Sequence, residues 1–180
     1  MSNRLFAVLA VVILSAPLAA RAQDVKSTES ARELTQLLDQ KKLDSIAAVD
    51  PDAPGTYIGA LYFPGTQLLV VSAQYTAPAM MNDLLGRKDY RGAYVELSSA
   101  SVISSKVFVM DALANGLAFK PSGGAPADSI ERANAATVFD GNWKKAKISE
   151  ADYSKAFADA DAAYTRALQI LIKQLKSSGT

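Results

Sequence analysis

The sequence predicts a single α+β domain, in which an antiparallel, barrel-like sheet is flanked by an N-terminal helix, one inserted helix and a long C-terminal helix. Three observations carry this prediction. Residues 43–116 alternate between short β-like runs and turns that contain Gly or Pro. Apolar residues recur at helical spacing before this region and again, more strongly, after it. The chain contains no cysteine, so the domain must depend on a packed core without disulfides.

The first 22 residues have the three parts of a cleavable export signal. Arg4 supplies positive charge, residues 5–14 (LFAVLAVVIL) form an unbroken apolar run, and residues 20–22 (ARA) place small side chains at the positions that a signal peptidase reads. The apolar run is shorter than the roughly 20 residues that a bilayer span requires. We therefore expect cleavage before Gln23, leaving residues 23–180 as one soluble domain that is periplasmic or secreted.

A first helix is predicted over residues 28–42, because Leu34, Leu37 and Leu38 recur at helical spacing. Residues 30–33 (SARE) match a capping box, in which a Ser hydroxyl and a Glu carboxylate satisfy free amides at a helix start. We interpret this segment as a packing helix.

The sheet core is predicted over residues 43–116. A short strand at 46–49 ends in the turn DPDAPG, and strands at 57–63 and 68–75 flank Pro64-Gly65, which suits a type II turn. The run LLVV in the second of these strands is apolar on both faces, so that strand should be central. An inserted helix at 77–87 and two half-buried strands, at 92–98 and 106–113, follow.

The C-terminal third is predicted to contain a Gly- and Pro-rich loop at 120–128, a short strand at 136–139 and a helix over 149–176 that Ser149 caps. One face of this helix is apolar, with Tyr153, Phe157, Ala160, Tyr164, Leu168, Leu171 and Leu175 at intervals of three or four. We interpret it as the helix that closes the core, and a partner-binding helix is the alternative.

Composition excludes several classes of function. The chain has no histidine and no cysteine, which removes His-dependent catalysis and the usual zinc, copper and haem ligands. Loss of Arg4 and Arg21 with the signal lowers the formal net charge from +1 to −1, too little basic character for nucleic-acid binding. Asp50 and Asp52 have the spacing of a calcium loop, but Pro54 occupies its fifth position and Leu61 its twelfth, so we expect no metal site.

Tyrosines are dense in the predicted sheet, at positions 57, 62, 75, 90 and 94. Buried packing at the end of a barrel would explain them, and so would a pocket for a flat ligand. Both interpretations remain open at this stage.

Residues 46–52 (IAAVDPD), followed by Gly55 and the run TYIGALYF, resemble the opening of the pyridoxamine-phosphate-oxidase-like, flavin-binding split barrels. The resemblance covers residues 43–116. It implies a split-barrel fold, an FMN cofactor, an oxidoreductase activity and a homodimer. In that family, residues after the third strand hold the flavin phosphate; the corresponding cofactor-binding candidates here are Ser72, Gln74, Tyr75 and Thr76, with no Arg or Lys among residues 72–78.

The leading functional prediction is a non-catalytic, exported protein that binds a small ligand or a protein partner. No catalytic residue can be named from the sequence. The alternatives are an FMN-dependent oxidoreductase on a split barrel, and a structural or interaction protein that uses the exposed side of the C-terminal helix.

Overall fold

A computed structural model of the chain describes residues 26–53, 55–74, 105–132 and 135–178. The predicted export signal, the inserted helix at 77–87 and the strand at 92–98 lie outside these residues, as do Tyr75 and Thr76.

The described elements form an α+β fold. Their order along the chain is α1 (Ser27–Lys41), β1 (Ser45–Val49), β2 (Tyr57–Phe63), β3 (Leu68–Gln74), β4 (Ser105–Asp111), β5 (Asp128–Arg132), β6 (Ala135–Phe139) and α2 (Glu150–Ser177). The six strands make one antiparallel sheet in which neighbours in sequence are neighbours in space. The predicted α+β class and antiparallel sheet are therefore confirmed, whereas the sheet formed by the described strands is open, not closed into a barrel.

The sheet buries both of its faces near β2 and β3. Ile58, Ala60 and Tyr62 pair with Ala73, Val71 and Leu69, and all six belong to or pack on the core that α1 and α2 complete. The alternate positions Leu61, Val70 and Ser72 are also buried, on the opposite face. The prediction that the LLVV strand is central is confirmed, because β3 lies between β2 and β4.

The C-terminal helix agrees residue by residue with the prediction. All seven predicted core residues are buried, and Ser149 caps the helix by accepting a 3.0 Å hydrogen bond from the Asp152 amide. Leu171 and Leu175 are 0 % and 2 % exposed, so this face closes the core. Neither described helix combines the length and the apolar character that crossing a membrane requires.

Two predicted local motifs are wrong. Helix α1 begins at Ser27, so Ser30 is an interior helical residue and not the cap of a capping box. The β2–β3 turn is a four-residue loop in which Gln67, with φ 54°, takes the left-handed conformation. Gly65 does not have the positive φ that a type II turn needs at its third position, and four-residue loops of this kind are usually built on type I turns.

Strand boundaries differ in the second half of the sheet. β4 ends at Asp111, two residues earlier than predicted, because a turn begins there with the Ala114 amide donating to the Asp111 carbonyl at 3.3 Å. β5 was missing from the prediction, which placed its first residue in a loop. Its five residues (DSIER) contain only one large apolar side chain, Ile130, and this is too short a run to show a period of two.

Candidate functional site

A pocket of about 190 Å³ lies between the sheet and α2. Its walls come from the β1–β2 loop, from β2, β3 and β4, and from one face of α2; the lining residues are Asp50, Ala53, Thr56, Ile58, Val71, Ala73, Val109, Ala163, Tyr164, Arg166 and Ala167. The lining is mainly apolar. Small side chains face each other across it, since Ala73 on β3 and both Ala163 and Ala167 on α2 leave space that larger residues would fill.

Thr56 supplies an unusual polar group in this lining. The residue is 2 % exposed, and its Oγ1 is buried without a hydrogen-bond partner among the described residues. Its backbone is fully used, since the Thr56 amide donates to the Ala53 carbonyl and the Asp50 amide donates to the Thr56 carbonyl, both at 2.9 Å. Buried polar groups are nearly always paired, so this hydroxyl, which presents almost no accessible surface, is an exception inside the packed wall.

The β1–β2 loop is held in place by Arg166 of α2. The guanidinium makes a two-pronged contact with Asp50, from Nη1 to Oδ2 at 2.8 Å and from Nη2 to Oδ1 at 2.5 Å, and Nη2 also donates to Asp52 at 2.8 Å. These hydrogen bonds, Asp50 first, raise the pKa of Arg166 above its ordinary value. The two acids with calcium-loop spacing therefore bind an arginine, and no group of three potential metal-ligating side chains occurs in the described part of the chain.

Tyr164 joins the pocket to a buried carboxylate. Its ring is completely buried, and its hydroxyl donates to Asp111 Oδ2 at 3.0 Å. Burial, and then the charge of Asp111, raises the pKa of Tyr164 well above its ordinary value. Tyr164 therefore stays protonated and cannot serve as a general base at neutral pH.

Asp111 and Asp128 together organise the loop that follows β4. Asp111 accepts from the amides of Asn115 and Gly116 at 3.1 and 2.7 Å, and Asp128 accepts from those of Ala112 and Ala118 at 2.8 and 2.7 Å. Burial raises the pKa of Asp111, and it raises the pKa of Asp128 to about 6 against the lowering effect of its amide donors. Neither carboxylate is among the residues that line the pocket, so we assign both to structure.

Of the four residues that the sequence proposed for a ligand, two lie in the described strand β3, two residues apart and therefore on one face of it, and their role in binding stays a prediction. Ser72 is buried in β3 on the face opposite to Val71 and Ala73, and so does not line the pocket. Gln74 is the last residue of β3, and Tyr75 and Thr76 lie outside the described residues. Tyr57 and Tyr62 point to opposite faces of β2, being five residues apart in one strand.

The aromatic cluster of the described residues is elsewhere. Phe119, Phe139, Tyr153 and Phe157 meet edge to face with centroid distances of 4.9 to 5.8 Å, which is the arrangement aromatic cores prefer. Tyr153 accepts from the Gly141 amide at 2.9 Å, so its polar end is satisfied. This cluster is core packing and not a ligand pocket.

A second cavity of about 350 Å³ lies beside the edge strand β6 and the segment that follows it. Most of its lining is exposed, including Ala136, Val138 and Ile148, and its charged pair, Lys145 and Asp140, is already joined at 3.3 Å. Although it is larger, it is a surface groove with no unpaired buried polar group. We therefore place the candidate site at the mainly apolar pocket between the sheet and α2.

Thr56 and Arg166 were not singled out by sequence reasoning. Thr56 follows a turn and reads as an ordinary strand-initiating residue, while Arg166 lies on the polar side of α2, 116 residues from Asp50. Comparison with family models, with curated proteins and with solved structures finds no match to this chain.

Proposed function

We propose that this protein is an exported, non-catalytic binding protein that holds a small, mainly apolar molecule in the pocket between α2 and the sheet. The observation that carries the proposal is the mainly apolar pocket itself, which the small side chains of Ala73, Ala163 and Ala167 leave unfilled. Export is supported by the signal-like first 22 residues. The absence of histidine and cysteine from the sequence supports binding over catalysis.

Size limits the ligand. An apolar cavity of about 150 Å³ is enough to bind benzene, and pockets for drug-sized molecules begin near 300 Å³. At about 190 Å³, this pocket fits a single small ring or a short aliphatic chain. Such a ligand would replace an empty apolar space with van der Waals contacts to Ile58, Val71 and Val109.

The test measures the binding of a panel of one-ring compounds to the mature protein. Ligand-observed NMR and the increase in thermal stability are the two readouts. The blocking variant is Ala163→Leu, which fills the pocket from α2. Its matched control is Ala162→Leu, at the neighbouring exposed position of the same helix. We expect binding to wild type and to the control, and loss of binding in Ala163→Leu. If no compound binds, or if Ala163→Leu binds as well as wild type, the pocket is not a ligand site.

A second candidate, flavin binding on a split barrel, is favoured by one observation. The consecutive antiparallel strands β1, β2 and β3 follow the order that the resemblance predicts. FMN exceeds the volume of the pocket, so it would occupy a different surface. A yellow purified protein with flavin absorbance and a homodimeric mass would support this candidate, and a colourless protein that added FMN leaves unchanged would exclude it.

A further inference from the structure

We infer that the pocket selects for hydrocarbons, and this inference rests on the proposed function, whose ligand it narrows to one chemical class. The part of the ligand that the pocket encloses carries no hydroxyl, carbonyl, carboxylate or amino group. A mainly apolar ligand could still carry one such group if the wall offered it a hydrogen bond. The described wall offers none.

The polar side chains of the lining are either inaccessible or already engaged. Oγ1 of Thr56 has almost no accessible surface, and the completely buried Tyr164 directs its hydroxyl to Asp111 Oδ2 at 3.0 Å. Asp50 is buried as well, and each of its carboxylate oxygens accepts from Arg166. An enclosed polar group would therefore find no side-chain partner among the described lining residues.

The backbone of the wall is engaged too. The strands that contribute Ile58, Val71 and Val109 each have a paired neighbour on both sides, so ladder hydrogen bonds use their amides and carbonyls. The contribution of α2 comes from the interior of a continuous helix. In the β1–β2 loop, both the amide and the carbonyl of Thr56 are hydrogen-bonded at 2.9 Å.

The ion pairs at the rim provide no site for a charged group. Arg166 lines the pocket and its side chain is 43 % exposed, so the pocket reaches the surface beside it. Its guanidinium is bonded to Asp50 and Asp52, and the three groups carry a formal charge of −1, so an anion meets no uncompensated cation. An ammonium group would have to displace Arg166 from Asp50, while Asp52 is 78 % exposed and its charge is screened by water.

Enclosing a polar group in this pocket therefore removes its hydrogen bonds to water and replaces none of them. A methyl group at the same place has no such hydrogen bonds to lose, and it gains van der Waals contacts with the apolar wall. Toluene and phenol make this comparison directly, because they differ only by a methyl group in place of a hydroxyl.

The experiment is an NMR titration of the mature protein with four one-ring probes, namely toluene, phenol, benzoate and benzylamine. We expect toluene to bind wild type about tenfold more tightly than phenol, the effect of one unreplaced hydrogen bond. Benzoate and benzylamine should bind more weakly than phenol, because a charged group loses more on leaving water than a hydroxyl does.

A hydroxyl added to the wall should weaken this selectivity. Ala163→Ser adds one on the pocket side of α2 with little change of shape, and Ala162→Ser adds the same group at the neighbouring exposed position. A serine hydroxyl that donates to its own helix can still accept from phenol. We expect the ratio of the two affinities to fall to about threefold or less in Ala163→Ser, through tighter binding of phenol, and to stay at the wild-type value in Ala162→Ser.

Each outcome bears on a different claim. Phenol that binds wild type as tightly as toluene, or tightest binding of benzoate or benzylamine, overturns the selection for hydrocarbons but leaves the pocket as a binding site. A ratio that Ala163→Ser leaves unchanged overturns the assignment of this selectivity to the wall. Failure of all four probes to bind counts against the proposed function itself. If Ala163→Ser does not fold, the comparison of toluene with phenol in wild type still decides between a hydrocarbon and a hydroxylated ligand.

Discussion

The carboxylate of Asp161 on α2 accepts a 3.1 Å hydrogen bond from the backbone amide of Ser27, the first residue of α1. Its second oxygen accepts from the amide of Lys26 at 2.9 Å. Free amides at a helix start need acceptors, and a negative charge there also interacts favourably with the helix dipole. One buried side chain of the last helix therefore caps the first helix, across 134 residues of sequence.

Removal of this cap should destabilise the fold. Asp161→Ala leaves two amides at the start of α1 without their acceptor, and we expect it to lower the free energy of unfolding by about 2 kcal/mol in urea titrations. Asp161→Asn keeps one acceptor and should cost less. The control is Asp159→Ala on the exposed side of the same helix, for which a loss below about 0.5 kcal/mol is expected. Equal losses in Asp161→Ala and Asp159→Ala would contradict the capping role.

Gly116 should tolerate no side chain. A Cβ at this position would lie 2.5 Å from the Cα of Thr28 in α1, and its φ of 93° already favours glycine. We expect Gly116→Ala to lower the free energy of unfolding by at least about 3 kcal/mol, because backbone must move to relieve the contact. Gly124→Ala is the matched control: its φ is 81°, but nothing lies within 4 Å of the added Cβ. Its cost should be only the left-handed strain of about 1–2 kcal/mol, and chemical denaturation of both variants measures the difference.

Asp128 should make stability depend on pH. Burial raises its pKa in the folded protein from 3.8 to about 6, so the folded state binds this proton more tightly than the unfolded chain does. The resulting stabilisation is fully present below about pH 4 and is lost as pH rises through about 6, with a total of up to ~3 kcal/mol. Asp111, whose pKa burial also raises, acts in the same direction, and Asp140, whose pKa is lowered, acts in the opposite direction. The measurement is therefore the difference between wild type and Asp128→Asn between pH 4 and 7. Stability curves with the same pH dependence in both proteins would show that the two amides that donate to Asp128, those of Ala112 and Ala118, keep it ionised.

Some of these structural features could be predicted from the sequence, and others could not. The apolar spacing of α2 continues from Tyr153 to Leu175, so its core face could be predicted directly from the sequence. The β2–β3 hairpin could be read because two apolar runs flank a Pro-Gly pair. The cap of α1 could not be predicted, because the local SARE motif matched a capping box while the actual acceptor is Asp161. Helical spacing places Asp161 on the core face, between Phe157 and Tyr164, but it does not indicate which amides the carboxylate meets there.

The candidate site could not be predicted from the sequence either, for a related reason. A pocket is the space that facing side chains fail to fill, and here it arises where Ala73 of one strand meets Ala163 and Ala167 of a distant helix. Each alanine is unremarkable in its own segment. Whether the hydroxyl of Thr56 finds a partner depends on the same tertiary packing, so its unpaired state appears only in the folded chain. Ser72, chosen from the resemblance, is separated from the pocket by the alternation of β3.

The pairing of Arg166 with Asp50 is the last relationship that mutation can test. Asp50 is buried and accepts from two nitrogens of one guanidinium, so Arg166→Met leaves a buried carboxylate without its partner. Since the Arg166 side chain is 43 % exposed, solvent screens part of the interaction, and we expect a loss of about 1–3 kcal/mol. Arg166→Lys keeps the charge but not the two-pronged geometry, and should recover only part of the loss.

Asp50→Asn keeps an oxygen for the Asp52 amide, which donates to Oδ1 at 3.0 Å, and removes the charge. In the double variant Asp50→Asn/Arg166→Met, removal of the arginine should therefore cost much less than it does alone, whereas the exposed control Lys173→Met on the same helix should show no such coupling. Strict additivity of the two single variants in urea denaturation would mean that the loop at the pocket rim does not depend on this ion pair.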